Sequence, residues 1–149
     1  MPTGIYLLGT ASGSRRNLMT HSLAVQVATV PKLVAVAVRQ DSVTHQLLGE
    51  GRVYSLCFLR RDDRHVVRAF TKPAVEGPGP GMLSGFPVRP GSTGAPRLEQ
   101  SAAWWECEVR QEHPVGDHTL FVGEVVDCAG PDEGAPLLRM EDTRLNYGG

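Results

Sequence analysis

From Ser101 to Gln111 the chain alternates without interruption: Ser101, Ala103, Trp105, Cys107 and Val109 fall on one side, and Ala102, Trp104, Glu106, Glu108 and Arg110 on the other. Successive side chains of a strand point to opposite faces, so this pattern predicts a half-buried strand. Pro114 and Gly116 follow, and then a second strand-like stretch, His118 to Asp127. The pair predicts an antiparallel hairpin with a connection of about four to six residues. A chain built on such a hairpin must fold around a sheet.

The remaining segments are consistent with that frame. Asn17 to Val30 starts polar and turns into an Ala/Val/Thr-rich stretch that Pro31 ends. Leu33 to Val38 is a continuous apolar run, as in a strand covered on both faces. Asp41 and Ser42 are good helix N-caps, Leu47 and Leu48 lie on one helical side, and Gly49 and Gly51 predict its stop. Val53 to Leu59 reads as a strand. Asp62 and Asp63 open a second short helix carrying Val66, Val67 and Phe70, with Pro73 beyond its end. Residues 76–97 hold eleven Gly or Pro among twenty-two, which predicts a long loop, either functional or a disordered insertion. A Gly/Pro/acidic turn at Gly130 to Gly134 precedes a terminal segment ending at Tyr147-Gly148-Gly149. Many strands, two short helices and no strand–helix–strand rhythm predict a mainly antiparallel barrel.

The chain has 149 residues, enough for one domain over 1–149 with one core. Its 41% apolar and 21% charged content is that of a globular protein. The net charge is -1 and the arginine pairs Arg15-Arg16 and Arg60-Arg61 are isolated, so no nucleic-acid groove is expected. Leu33 to Val38 is too short to cross a bilayer, and Gly4 to Leu8 is too short for a signal peptide's apolar region. With Cys57, Cys107 and Cys128 odd in number and scattered, a cytoplasmic protein with reduced thiols is expected.

Self-contained catalytic motifs are missing. No Gly-x-Ser-x-Gly elbow occurs. Gly79-Pro80-Gly81 lacks the flanking strand and helix of a dinucleotide fingerprint. No lysine follows a glycine loop as in a nucleotide-binding P-loop. Neither a Cys-x-x-Cys nor a paired-His helix spacing is present, so no intrinsic metal site is expected.

Three polar segments remain. Asn17, Thr20 and Ser22 mix donors and acceptors at a strand's start, which suits the edge of a flavin ring, although such residues also satisfy backbone groups. Ser42 and Thr44 open the first predicted helix, where unpaired N–H groups favour a phosphate, with Arg39 and Lys72 as charge partners; Ser42 serves equally as a plain cap. Asp117 and His118 form a charged pair opening an apolar strand, which also fits an ordinary strand-end histidine.

In their order and spacing these segments resemble the flavin reductase-like family of FMN-binding split barrels. The resemblance runs over roughly residues 5–140. It rests on the Asn17-x-x-Thr20-x-Ser22 leader, the Pro31-Lys32-Leu33-Val34 strand, the Ser42-x-Thr44 helix start, Trp105-Glu106-Cys107, and Gly116-Asp117-His118-Thr119-Leu120-Phe121-Val122-Gly123-Glu124-Val125. It implies a six-stranded antiparallel split β-barrel with two or three short helices, forming a homodimer with flavin near the subunit interface. Asn17, Met19, Thr20 and Ser22 would line the flavin ring, Ala37 and Val38 the ribityl chain, and Ser42 and Thr44 the phosphate. Ser55 stands in a strand where many relatives carry an asparagine, and is the candidate flavin contact there. His118 would lie on the nicotinamide side as the catalytic group. Many relatives have a longer C-terminal tail with an aromatic near that side. The implied activity is NAD(P)H:flavin oxidoreduction, with hydride passing from nicotinamide to N5 of FMN, or of FAD as the alternative flavin, and reduced flavin feeding a partner monooxygenase. The Gly/Pro-rich loop would be a lid. Two other readings share the barrel: a non-enzymatic FMN electron-transfer module, and a deazaflavin or haem binder.

Overall fold

The computed structural model describes residues 1–131 and 134–145. The chain runs β1 (Tyr6–Ser12), β2 (Arg15–His21), β3 (Ala24–Thr29), β4 (Lys32–Arg39), α1 (Val43–Gly51) and β5 (Val53–Phe58). A 3₁₀ turn at Arg61–Asp63 leads into α2 (Arg64–Ala69). Then come β6 (Met82–Leu83), β7 (Phe86–Pro90), β8 (Pro96–Leu98), β9 (Ala103–Val115), β10 (His118–Ala129) and a 3₁₀ turn at Met140–Asp142.

Seven strands, one more than expected, form an antiparallel sheet in the order β2-β1-β5-β9-β10-β4-β3. Its edge strands, β2 and β3, are consecutive in the chain, with only Ser22 and Leu23 between them. In a flat sheet six spacings of about 4.8 Å would hold the edges roughly 29 Å apart, yet three peptide steps of about 3.8 Å reach only about 11 Å. The sheet therefore curls until its edges meet. No ladder joins β2 to β3, so the barrel is split at that corner.

The sheet is covered on both sides. Leu8, Val36, Tyr54, Leu56, Cys107 and Phe121 pack in one core with Leu48 of α1. Leu7, Leu18, Cys57, Leu59 and Leu98 pack in another with Val66 and Val67 of α2. Adjacent Leu7 and Leu8 thus serve opposite faces, which is why β1 and β5 read as apolar runs rather than alternating strands. Gly123 lets the barrel close over Tyr54: a Cβ there would come within 2.6 Å of the ring, whose hydroxyl donates to the Val34 carbonyl at 2.7 Å.

Several expectations change. The β9–β10 connection has two residues, Gly116 and Asp117, because Pro114 and Val115 still pair with Thr119 and His118. Beyond Val109 no other strand borders β9, so the missing N–H of Pro114 leaves no ladder partner unsatisfied. Asn17 to Val30 is two strands turning at Ser22. α1 passes through Gly49 and ends with Arg52 in the left-handed conformation (φ 59°), its N–H donating to Leu48 O. Gly51 instead allows contact with β1, since a Cβ there would lie 1.8 Å from Ala11 O.

Residues 76–97 are not a loop. They contain β6, β7 and most of β8, a small antiparallel sheet whose Leu83, Val88 and Leu98 are buried in the second core. The glycines sit at its bends, with Gly85 and Gly94 at φ 84° and 89°. The segment covers the outer face of β9, so Glu106, expected on the polar side, is 0% exposed. Its Oε2 accepts from Ser92 N at 2.9 Å and its Oε1 from Thr93 Oγ1 at 2.8 Å. A segment built into the core in this way is not a free lid. The expected ending at Tyr147-Gly148-Gly149 lies outside the described residues.

Candidate functional site

A cleft of about 310 Å³ opens where β2, the end of β4, the start of α1 and the turn after α2 meet. Alternation along β2 gives Asn17, Met19 and His21 a common side, and all three line it. Thr20, Ala37, Ser42, Thr44 and Lys72 complete the set that the sequence singled out and the fold gathers. A second hollow of about 300 Å³ continues from it, sharing Thr20, His21 and Thr71 and adding Ser22, Ile5, Met140 and Leu145. The combined slot has the size of a small-molecule site.

The polar atoms divide into those already used and those left over. Asn17 Nδ2 donates to Thr44 Oγ1 at 3.0 Å, and its Oδ1 accepts from Ala74 N at 2.8 Å. Thr44 Oγ1 in turn donates to Met19 Sδ at 2.9 Å. Asn17 and Thr44 are thus a brace tying β2 to α1 and to the turn after α2. Thr20 Oγ1 donates to Val67 O at 2.5 Å. By contrast, Ser22 Oγ is buried, in a residue 5% exposed, and has no partner among the described residues. An unpaired buried hydroxyl costs about 1–3 kcal/mol, and this one lies in the wall of the second hollow, which makes it a candidate ligand contact.

At the other end Ser42 caps α1, its Oγ accepting from His45 N at 3.1 Å and donating to Arg39 O at 2.7 Å. The N–H groups of Val43 and Thr44 start the helix, where no earlier turn can accept from them, and both residues line the cleft. Lys72 is exposed there and has no carboxylate partner among the described residues. Arg39 forms a two-pronged pair with Asp41 at 3.0 and 2.9 Å, which holds the Asp41 carboxyl below its usual range. This end provides the donors a phosphate needs.

Three candidates lie elsewhere. Val38 is core, because a strand cannot turn both Ala37 and Val38 to one side. Ser55 is buried in β5, donating to Pro96 O at 2.5 Å. His118 starts β10 opposite Arg39, beside the cleft rather than in its wall. Its side chain is 18% exposed and its Nδ1 lies 2.6 Å from Asp117 Oδ1, a contact that lowers the Asp117 pKa.

His21, absent from the residues singled out by the sequence, also lines the cleft, and the spacing Asn17–Met19–His21 marks it. Its Nε2 donates to Leu23 O at 3.1 Å, and burial holds its pKa down at about 4. The unfolded ring takes up a proton near pH 6.5, whereas the folded one does so only near pH 4. Stability present above pH 6.5 should therefore be lost as the pH falls toward 4, by about 3 kcal/mol at most. Urea unfolding across this window should show the loss, and His21→Gln, which keeps a donor but does not titrate, should flatten it. An unchanged slope in that variant would exclude His21 as the source.

Among the described residues no group of three or more His, Cys, Asp or Glu could hold a metal ion, and no helix is long and apolar enough to cross a membrane. Burial raises the Cys107 thiol to about 12 and pushes Cys57 up as well, so neither is a nucleophile.

A split barrel with a slot at its open corner, a helix N-terminus at one end and an unpaired hydroxyl at the other defines the class of split-barrel flavin binders. The chain belongs to the Flavin reductase like domain family, matched over residues 1–147. It is 29% identical to the NADH-dependent flavin reductase StyB of Pseudomonas fluorescens over 90% of this chain and 75% of that one. The styrene monooxygenase flavin reductase of Pseudomonas putida superposes with a TM-score of 0.80 at 26% identity, covering 97% of this chain and 89% of that one. An FMN-binding protein from Thermus thermophilus superposes with a TM-score of 0.77 at 29% identity, over 90% and 74% of the two chains. The chain also matches diflavin flavoproteins of Nostoc and Synechocystis, of whose length it spans only 22%.

Proposed function

We propose that this protein is an NAD(P)H-dependent flavin reductase that binds FMN in the slot between Ser42 and Ser22. The observation that carries this reading is the placement of the unpaired Ser22 hydroxyl and the Ser42-capped helix start at opposite ends of one slot, in a chain of this family. The relatives named as an NADH-dependent flavin reductase and as a styrene monooxygenase flavin reductase support the activity. A bound flavin supplies the redox chemistry, taking a hydride from a nicotinamide.

The chain's own residues bind and orient. Lys72 and the first amides of α1, fixed in place by the Ser42 cap, hold the phosphate end; Ala37 and Met19 give the slot its apolar wall; Ser22 donates to or accepts from the ring edge. The Asn17–Thr44 brace keeps α1 and β2 at fixed spacing, which is the orientation a reaction between stacked rings depends on. His118, paired with Asp117 beside the cleft, would stabilise negative charge developing there.

A homodimer completes this picture. Strand β3 carries no charged side chain and leaves Val25 and Val27 59% and 53% exposed, with Val30 next to it. That apolar edge beside the slot suits a two-fold partner. A partner monooxygenase would consume the reduced flavin, in a cytoplasm that keeps the thiols reduced.

The test mixes purified protein with NADH or NADPH and excess FMN while the nicotinamide absorbance is followed. Steady oxidation supports the reductase; bound flavin reduced only by a protein donor would make the chain an electron carrier instead. His118→Ala is expected to lower the rate at least tenfold, and an unchanged rate would remove His118 from the reaction.

A further inference from the structure

At the phosphate end of the cleft one side chain has the wrong sign for a phosphate. Asp41 lines the wall together with Ser42, Val43 and Thr44, and it directly precedes the cap of α1. A carboxylate there competes with a bound anion for the positive helix terminus and repels it. Its side chain is 71% exposed, and Arg39 engages it through two bonds of 3.0 and 2.9 Å.

Arg39 is the other half of the arrangement. It ends β4 on the same side as Ala37, and both line the cleft. The fork that grips the two oxygens of Asp41 suits two oxygens of a phosphate equally well. An exposed ion pair contributes little to stability, so a change of partner costs the fold little. The other charged groups at this corner are close enough to take part. The Asp117 carboxyl, lowered chiefly by His118, is also lowered by Arg39, and that of Asp41, lowered chiefly by Arg39, is also lowered by His118. Asp41 therefore keeps His118 in range when Arg39 turns away.

We infer that Arg39 exchanges Asp41 for the flavin phosphate, and that Asp41 is the residue that keeps FMN exchangeable. In the empty slot Asp41 occupies the guanidinium; in the filled slot it opposes the phosphate. This deepens the flavin reading and rests on it. Its consequence is that flavin enters and leaves as a substrate, rather than staying as the resident group an electron carrier needs.

FMN and riboflavin titrations followed by flavin fluorescence test the exchange without any turnover, in wild type, Asp41→Asn, Arg39→Gln and the double variant. Both positions are exposed, so the variants should keep the wild-type melting temperature. Asp41→Asn keeps the side chain's size and removes its charge, and should tighten FMN by about three- to tenfold. Riboflavin, which has no phosphate, should bind as before. Arg39→Gln should weaken FMN by about tenfold. In that background the gain from Asp41→Asn should shrink, because part of it is competition for the missing guanidinium. FMN affinity that is unchanged or weaker in Asp41→Asn overturns the inference. Equal gains with and without Arg39 overturn the exchange as well, since they leave only repulsion at a distance. Wild type that binds neither flavin overturns the flavin reading and this inference with it; riboflavin bound normally, with FMN indifferent to Asp41, overturns this inference alone.

Discussion

Glu106→Leu is expected to destabilise the folded chain by about 3–5 kcal/mol, because it removes the acceptor from a buried, fully engaged network. Four donors converge on this carboxylate: the N–H and hydroxyl of Ser92, and the N–H and hydroxyl of Thr93. Arg97 lies 3.9 Å away with its side chain 15% exposed, and its guanidinium sits 3.6 Å over the Trp104 ring. Leucine leaves those donors and that charge buried without a partner, and each neutral loss alone costs about 1–3 kcal/mol. With about 2–4 °C of melting temperature per kcal/mol at this size, a drop of roughly 10 °C follows. Glu106→Gln keeps one acceptor oxygen and sets an amide against donors, so about half the effect is expected. Glu108→Gln, two residues along on the same face but half-exposed and paired with Arg110, should stay within about 0.5 kcal/mol. Equal melting temperatures for the Glu106 and Glu108 variants would show that the β6–β8 sheet is not anchored through this carboxylate.

That network also marks where the sequence stops being legible. β4, β5, β9, β10, α1 and α2 could be read because each carries enough periodic apolar positions to outweigh local composition. The β6–β8 sheet could not: its strands have two, five and three residues, too few for a period, and Gly and Pro dominate between them. Its covering of β9 depends on long-range packing, so the burial of Glu106 looked like surface. The corner at Ser22-Leu23 carries no Gly or Pro, and two strands therefore read as one stretch. For the site, residue type and order found Asn17, Thr20, Ser42, Thr44 and Lys72, and the family resemblance added Met19 and Ala37; all seven line one cleft. What residue type could not convey is whether a polar atom is already spent. Asn17 and Thr44 look like ligand groups and act as a brace, while Ser22, which looks equivalent to Thr20, is the hydroxyl left unpaired. Parity along the strands separates Ala37 from Val38 and groups His21 with Asn17 and Met19, though Thr20, of the other parity, also lines the cleft.

A preference for FMN over riboflavin of about a hundredfold is the second large effect expected, and Lys72→Ala should remove most of it. Riboflavin has the same ring and ribityl chain without the phosphate, so the ratio of the two affinities isolates the end of the slot at α1. A charge-assisted hydrogen bond from Lys72 contributes about 1.5–3 kcal/mol, and the helix N-terminus adds about 0.3–1 kcal/mol. Together these approach 3 kcal/mol, or about two orders of magnitude in Kd. Lys72 is exposed and has no carboxylate partner to abandon among the described residues, so its alanine variant should fold normally and lose FMN affinity alone, by roughly 10- to 100-fold. Ser42→Ala acts differently: it removes the α1 cap, worth about 1 kcal/mol, and loosens the amides of Val43 and Thr44, so FMN should weaken several-fold with a smaller loss for riboflavin. Because the Lys72 site faces solvent, added salt should erode FMN binding and leave riboflavin nearly unchanged. Titrations followed by flavin fluorescence measure each of these. Equal affinities for FMN and riboflavin in the wild type would move the phosphate away from Ser42 and Lys72 and reverse the direction in which the flavin lies along β2.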